Sequence, residues 1–271
     1  HHSSAASDVY KRQTLDKAAK WVQQHGGTRA DTPSDAAKGA EIVFTCVGND
    51  DDLRQVVSGE KGAFRSMNRG TLLVDHTTTS ANVARELASI GASLEVGFVD
   101  APISGGQSGA ENGILTVMCG GGQENYDRAE PVIQAYARSV KRLGEVGSGQ
   151  LTKMVNQICV AGVVQSLEEA IHFAQRAGLD PLAVIEVISK GAAQSWQMEN
   201  RHKTMVADEF EFGFAVDWMR KDLGIVLNEA RQNGAQLPGT AMIDQFYSGV
   251  QALGGGRWDT SSLLKLLQDP K

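Results

Sequence analysis

Two stretches decide the fold. Glu41-Ile42-Val43-Phe44-Thr45-Cys46-Val47 is stopped by Gly48-Asn49-Asp50, and Thr71-Leu72-Leu73-Val74-Asp75 runs into His76-Thr77-Thr78-Thr79-Ser80. Each is a short, continuous, apolar run rich in β-branched residues and closed by turn formers, the pattern of a strand buried on both faces of a parallel sheet. Leu94 to Val99, Ile114 to Cys119 and Ser139 to Val146 repeat the form. Helices fall between them. Leu15, Ala18, Ala19 and Val22 recur at helical spacing up to Gly26-Gly27, Ser34 caps a short helix through Lys38, and the polar cluster ending at Ser80 caps another near Asn82. The alternation predicts an α/β layered domain with a largely parallel sheet, whose ligands gather outside the carboxyl ends of the strands. The loops after Val47, Val74 and Val99 are the expected site.

The character changes after Gly147-Ser148-Gly149. Gln150 to Ala177 contains no Pro and only Gly162, and Leu151, Met154, Val155, Ile158, Val160, Val163, Val164 and Leu167 cover more than one face. Such a helix is about 40 Å long and is expected to be largely buried, some of it against a second copy of the chain. Further helices are expected over Pro181 to Lys190, Asp217 to Asn233 and Gly239 to Leu253. The expected organisation is α/β: a Rossmann-type parallel-sheet domain over 14–147, followed by an all-α domain over 148–271 built on a long interdomain helix.

The chain has 271 residues, 41% of them apolar, which excludes a disordered chain. Its net charge of −6 argues against general affinity for nucleic acid or anionic membrane, though a local basic pocket for a small anion is compatible with it. No apolar run reaches the ~18 residues of a membrane span, so a soluble protein is expected. Cys46, Cys119 and Cys159 show no metal-ligand spacing, so no metal is expected; they read as reduced thiols of a cytoplasmic protein, each a small core residue. Residues 1–13 lack periodicity and caps. They read as adapter- or tag-derived sequence, with the native chain opening at Thr14.

Three stretches carry chemistry. Asp100-Ala101-Pro102-Ile103-Ser104-Gly105-Gly106 leaves a strand end, and its Ser-Gly-Gly turn is either an ordinary glycine turn or a nest of N–H groups for a carboxylate. Lys153 and Asn156, three apart, share a face of an apolar helix near its N-terminus. Lys153 is an exposed first-turn lysine, or one whose pKa is pushed down by burial and the helix dipole so that it exchanges protons near neutral pH. Lys221, in Arg220-Lys221-Asp222-Leu223, either pairs with Asp217 along its helix or reaches a cofactor.

Together the three stretches resemble the β-hydroxyacid dehydrogenase family, which includes 3-hydroxyisobutyrate dehydrogenase, tartronate semialdehyde (2-hydroxy-3-oxopropionate) reductase and the glyoxylate/succinic semialdehyde reductases. Asp100 to Gly106 with Gly109-Ala110 and Gly113-Ile114-Leu115-Thr116 is similar to the substrate-binding signature, and Gly147-Ser148-Gly149 with Lys153 and Asn156 to the catalytic one. The resemblance implies NAD or NADP as cofactor and a small carboxylate substrate. It makes Lys153 the general acid/base of hydride transfer. Ser104, Gly105 and Gly106 hold the carboxylate with Asn156; Val47, Gly48, Asp52 and Thr78 line the nicotinamide nucleotide; Lys221 closes over it; Ser195 and Trp196 shape the substrate pocket. Separately, the apolar faces of the long helix after Gly149 lead to the expectation of a homodimer or homotetramer through the helical domain.

The chain departs from the family at Gln157, where a second Asn is common, and at His76, where a small hydroxyl residue is usual. No Gly-x-Gly-x-x-Gly turn for the pyrophosphate occurs in residues 1–60, so a truncated nucleotide domain with weak dinucleotide binding is expected. The alternatives are a semialdehyde reductase of the same family, an imine reductase (disfavoured by Lys153), and a non-catalytic dimeric binding module.

Overall fold

The computed structural model describes residues 15–268, and the adapter- or tag-like residues 1–13 lie outside them. The chain forms two compact units, one ending at Lys153 and the other starting at Met154.

In the first unit, α1 (Leu15–His25) and α2 (Pro33–Ala37) precede β1 (Ile42–Thr45), α3 (Asp50–Ser58), β2 (Leu72–Asp75), α4 (Ala81–Ser93) and β3 (Gly97–Asp100). Then come β4 (Ile103–Ser104), α5 (Gly106–Glu111), β5 (Leu115–Gly120), α6 (Gln123–Ile133) and β6 (Ala137–Gly144). The sheet runs β1-β2-β3-β5-β4, with β6 also pairing with β5. β1, β2 and β3 are parallel, joined by the α3 and α4 crossovers, whereas β5 runs antiparallel to β3 and β4 and parallel to β6. The largely parallel sheet expected from the sequence is present, with β5 running against β3 and β4. The reversal follows from the turn at Pro102 to Gly113, which sends the chain back without a crossover helix.

Successive residues of β2 explain its unbroken apolar run. Leu73 packs with Leu53, Val57, Val83 and Leu87 of α3 and α4, while Leu72 and Val74 point the other way, onto Tyr126, Ala129 and Ile133 of α6. Caps set the helix starts. Ser80 Oγ accepts from Val83 N–H, as expected, but Thr32 rather than Ser34 caps α2, because Pro33 takes the first helical position.

The helix α7 (Ser148–Arg176) begins in the first unit and continues into the second, a length of about 43 Å. The second unit adds α8 (Pro181–Ile188), α9 (Trp196–Val206), α10 (Val216–Asn233), α11 (Pro238–Ala252) and α12 (Leu264–Gln268). Ala161 packs with Met219, Leu223 and Tyr247, and Leu167 and Ile171 with Ile185, Met198 and Met205. The opposite face of α7 leaves Val155 59%, Val163 38% and Phe173 71% exposed.

The cysteines only partly follow expectation. Cys119 is buried, but Cys46 and Cys159 are exposed. β1 ends at Thr45, one residue before Cys46, and Cys159 lies one turn from both Val155 and Val163 on the outer face of α7.

Candidate active site

The strand-end loops of the first unit are tied together at a buried acid. Asp75 closes β2 with no solvent exposure, and its Oδ1 accepts from Thr45 Oγ1 (2.8 Å), Thr77 Oγ1 (2.6 Å) and Thr77 N–H (3.1 Å). Val47 N–H in turn donates to Thr77 Oγ1 (3.0 Å), so the loop after β1 is fastened to the loop after β2. Burial pushes the Asp75 carboxyl up to about 7 against those hydrogen bonds, and its Oδ2 has no hydrogen-bond partner among the described residues. Val47, Gly48, Asp52 and Thr78 lie half-buried on these loops and on the first turn of α3, where Asn49 Oδ1 caps Asp52 N–H.

The Ser104-Gly105-Gly106 turn follows β3. Gly105 (φ 132°) and Gly106 (φ 62°) occupy backbone regions that side chains strain to adopt, so the turn requires glycine. A Cβ at Gly105 would lie 3.0 Å from Leu115, while nothing lies within 4 Å of one at Gly106, which leaves the outer side of the nest open. Ser104 is half-buried beside it, paired with Thr116 of β5.

His76 holds the approach to this turn. Its Nδ1 lies 2.6 Å from Ala101 O and its Nε2 2.7 Å from Tyr136 Oη, with Phe44 stacked on the ring. A carbonyl can only accept, so Nδ1 carries the proton and Nε2 accepts from Tyr136. Burial pushes the imidazole pKa down, which suits that neutral form. The departure at His76 is thus a packed, fully bonded tether between β2 and the residues leading to Ser104.

Asp100, the last residue of β3, seats the start of α7. Its Oδ1 accepts from Gly147 N–H (2.8 Å) and its Oδ2 from Gln150 N–H (2.9 Å). Burial raises this carboxyl to about 6, with the backbone bonds pulling it back down. Gly149 is needed for the approach, because a Cβ there would lie 2.4 Å from Met118 O and 2.5 Å from Asp100 O. The positive end of the helix, bare in the sequence reading, is occupied by an acid. Lys153 follows one turn after Gln150 and is itself only 7% exposed, which removes the exposed-lysine reading.

In the second unit, Asn156 and Lys221 are joined through Gln157, the departure from the family pattern, and Asp222. Asn156 Nδ2 donates to Gln157 Oε1 (2.8 Å), and Gln157 Nε2 to Asp222 Oδ2 (2.6 Å). Lys221 Nζ lies 3.0 Å from Asp222 Oδ1 and 5.8 Å from the Trp218 ring. Gln157 is therefore an inward-facing strut to Asp222. Ser195 and Trp196 lie at the start of α9. Ser195 Oγ caps the helix by accepting from Met198 N–H (3.0 Å), and Trp196 is stacked under Arg201, which also faces Phe212 and Asp259. Apolar periodicity gave no role to Asp75, Asp100 or Asp222; for the first two the available signal was an acid closing a continuous apolar strand.

Half-buried amides, hydroxyls, a glycine and one acid at the ends of parallel strands fit a nicotinamide riboside by their donor and acceptor chemistry. Among the described residues no group of three His, Cys, Asp or Glu could hold a metal, and no helix is long and apolar enough to cross a membrane. An α/β nucleotide-dependent oxidoreductase is the class that this fold and these groups define.

A family model described as the NAD binding domain of 6-phosphogluconate dehydrogenase matches residues 4–145. A second, for the NAD-binding domain of NADP-dependent 3-hydroxyisobutyrate dehydrogenase, matches 147–267. An uncharacterized oxidoreductase of Shewanella frigidimarina is 66% identical over 96% of this chain and 89% of its own length. A probable mitochondrial 3-hydroxyisobutyrate dehydrogenase-like protein of Arabidopsis thaliana is 36% identical over 96% of this chain and 77% of its own. The crystal structure of 3-hydroxyisobutyrate dehydrogenase from Salmonella typhimurium superposes with a TM-score of 0.83 at 29% identity, covering 93% of this chain and 88% of that one. The chain belongs to the β-hydroxyacid dehydrogenase family, whose members are NAD(P)-dependent oxidoreductases acting on hydroxyl groups.

Proposed function

We propose that the chain interconverts a small β-hydroxy acid and its semialdehyde, in the manner of 3-hydroxyisobutyrate dehydrogenase. The observation that carries this reading is Asp100: one residue starts the Ser104-Gly105-Gly106 turn and seats the helix that bears Lys153. A bound NAD or NADP would supply the hydride acceptor for oxidation of the hydroxyl-bearing carbon, and the donor in reverse. Lys153 Nζ takes the hydroxyl proton in that direction and returns it in reverse. Ser104 and the N–H groups of Gly105 and Gly106 hold the substrate carboxylate, supported by Asn156, while Trp196 and Ser195 bound the pocket. Val47, Gly48, Asp52 and Thr78 line the nicotinamide nucleotide, and Lys221 closes over it.

Residues 14–147 serve as the nucleotide domain and 148–271 as the helical one. The exposed Val155, Val163 and Phe173 of α7 support a homodimer or homotetramer built on that helix, and the sparse cysteine count, three in 271 residues, supports a cytoplasmic enzyme. The test is nicotinamide absorbance with 3-hydroxyisobutyrate, glycerate, serine and semialdehydes, using both cofactors at millimolar concentration to offset the weak dinucleotide binding expected without a pyrophosphate turn. Turnover of a small β-hydroxy acid supports the reading, and none with any of them contradicts it.

A further inference from the structure

Gln150 is fully buried, yet its side-chain amide reaches back from α7 to the loop after β2. Its Oε1 accepts from Thr79 N–H (3.0 Å) and its Nε2 donates to Thr77 O (2.7 Å). The two bonds fall on either side of Thr78, so the amide brackets that residue as a neighbouring strand would. A backbone N–H can only donate and a carbonyl only accept, so the partners fix which way the amide faces. Its own backbone N–H is held by Asp100, so neither end of the Gln150 side chain is free to slide.

We propose that Gln150 is a positioning residue that sets the register between the cofactor loop at Thr78 and the proton-transferring Lys153, one helical turn further along α7. The inference rests on the function proposed above for Thr78 and Lys153. Two residues of the same helix then do separate work: one fixes the loop and the other handles the proton. Asp75 fastens the same loop to β1 through Thr45, so the Thr77 to Thr79 segment is tied to two strands and a helix. A loop placed in this way presents Thr78 without ordering on binding, and the effect of losing the clamp is expected chiefly in nucleotide affinity.

The test compares Gln150→Met, which keeps the length and removes both bonds, with Gln150→Glu, which keeps the acceptor for Thr79 N–H. Amide hydrogen exchange of the whole chain is read first. In Gln150→Met, Thr79 N–H is expected to exchange at least about tenfold faster, with Leu73 to Asp75 and the body of α7 unchanged. In Gln150→Glu its protection is expected to be largely retained. NADH and NADPH titrations are then expected to weaken about tenfold in Gln150→Met, and less in Gln150→Glu, while KM for the hydroxy acid changes less than about threefold. Unchanged Thr79 exchange, or faster exchange with unchanged nucleotide affinity, overturns the proposal. Equal loss of substrate and nucleotide affinity together with a collapsed melting curve assigns Gln150 to folding alone and overturns it as well. Wild-type chain that turns over no hydroxy acid with either nucleotide overturns the proposed function instead, and the exchange result still decides whether the clamp exists.

Discussion

Asp75 and Asp100 are register partners at the ends of the parallel strands β2 and β3, and each turns a buried carboxyl onto a different loop. Asp75 gathers the loops after β1 and β2, and Asp100 seats the start of α7. Their proximity also raises the Asp75 pKa, by charge repulsion added to burial.

Stability should therefore fall as pH rises through the acidic range. The Asp75 carboxyl titrates near 7 and that of Asp100 near 6, both raised from 3.8. The native chain holds these protons after the unfolded chain has released them. The stabilisation is complete below about pH 4 and is lost as pH rises through about 6 and then about 7. Urea midpoints of wild type and Asp75→Asn, measured between pH 4 and pH 8, isolate the Asp75 share. Wild type is expected to lose roughly 2–4 kcal/mol relative to the variant across that range. A constant difference would count against this account of Asp75.

The tight seat of α7 predicts that Gly149 tolerates no side chain. Alanine normally favours a helix over glycine, yet here its Cβ would meet Met118 O and Asp100 O at 2.4 and 2.5 Å. Gly149→Ala is expected to destabilise the chain by about 2–3 kcal/mol, seen as a lower Tm. A Tm at or above the wild-type value would show that the seat is looser.

Much of this was legible in the sequence, for identifiable reasons. β2 was readable within one residue because both of its faces are buried, and α7 because its apolar residues cover more than one face. The two-residue β4 was not, because it is a strand only by virtue of pairing with β5. α3 was missed because Asn49 was read as ending a strand and not as capping the next helix, and α9 because Ser195 was assigned to a pocket while its hydroxyl caps that helix. The three candidate stretches were found by residue type and order. The bonds that hold the first unit's site, Asp100 to Gly147 and Gln150 to Thr79, join residues far apart in sequence, and no local pattern announces them.

The Gln157 strut gives a prediction within the second unit. Gln157→Leu leaves the buried Asp222 without its 2.6 Å donor and should lower stability by about 1–3 kcal/mol. Gln157→Asn, one methylene shorter, is expected to recover only part of that loss. Denaturation curves check both, and a neutral leucine variant would show that the strut carries no stability.

The outer face of α7 makes a separate prediction. If Val155, Val163 and Phe173 pack against a second copy, Phe173→Glu should lower the mass measured by light scattering at fixed concentration, with the circular dichroism of the helices unchanged. A wild-type chain that is monomeric at high micromolar concentration would contradict the oligomer.

The central claim is that Lys153 moves the hydroxyl proton, and its removal tests that claim most directly. Single-turnover hydride transfer, followed by nicotinamide absorbance in wild type and Lys153→Ala, should slow by about 10²–10⁴-fold while nucleotide affinity stays within about threefold. A Lys153→Ala enzyme that transfers hydride at a wild-type rate would contradict the account.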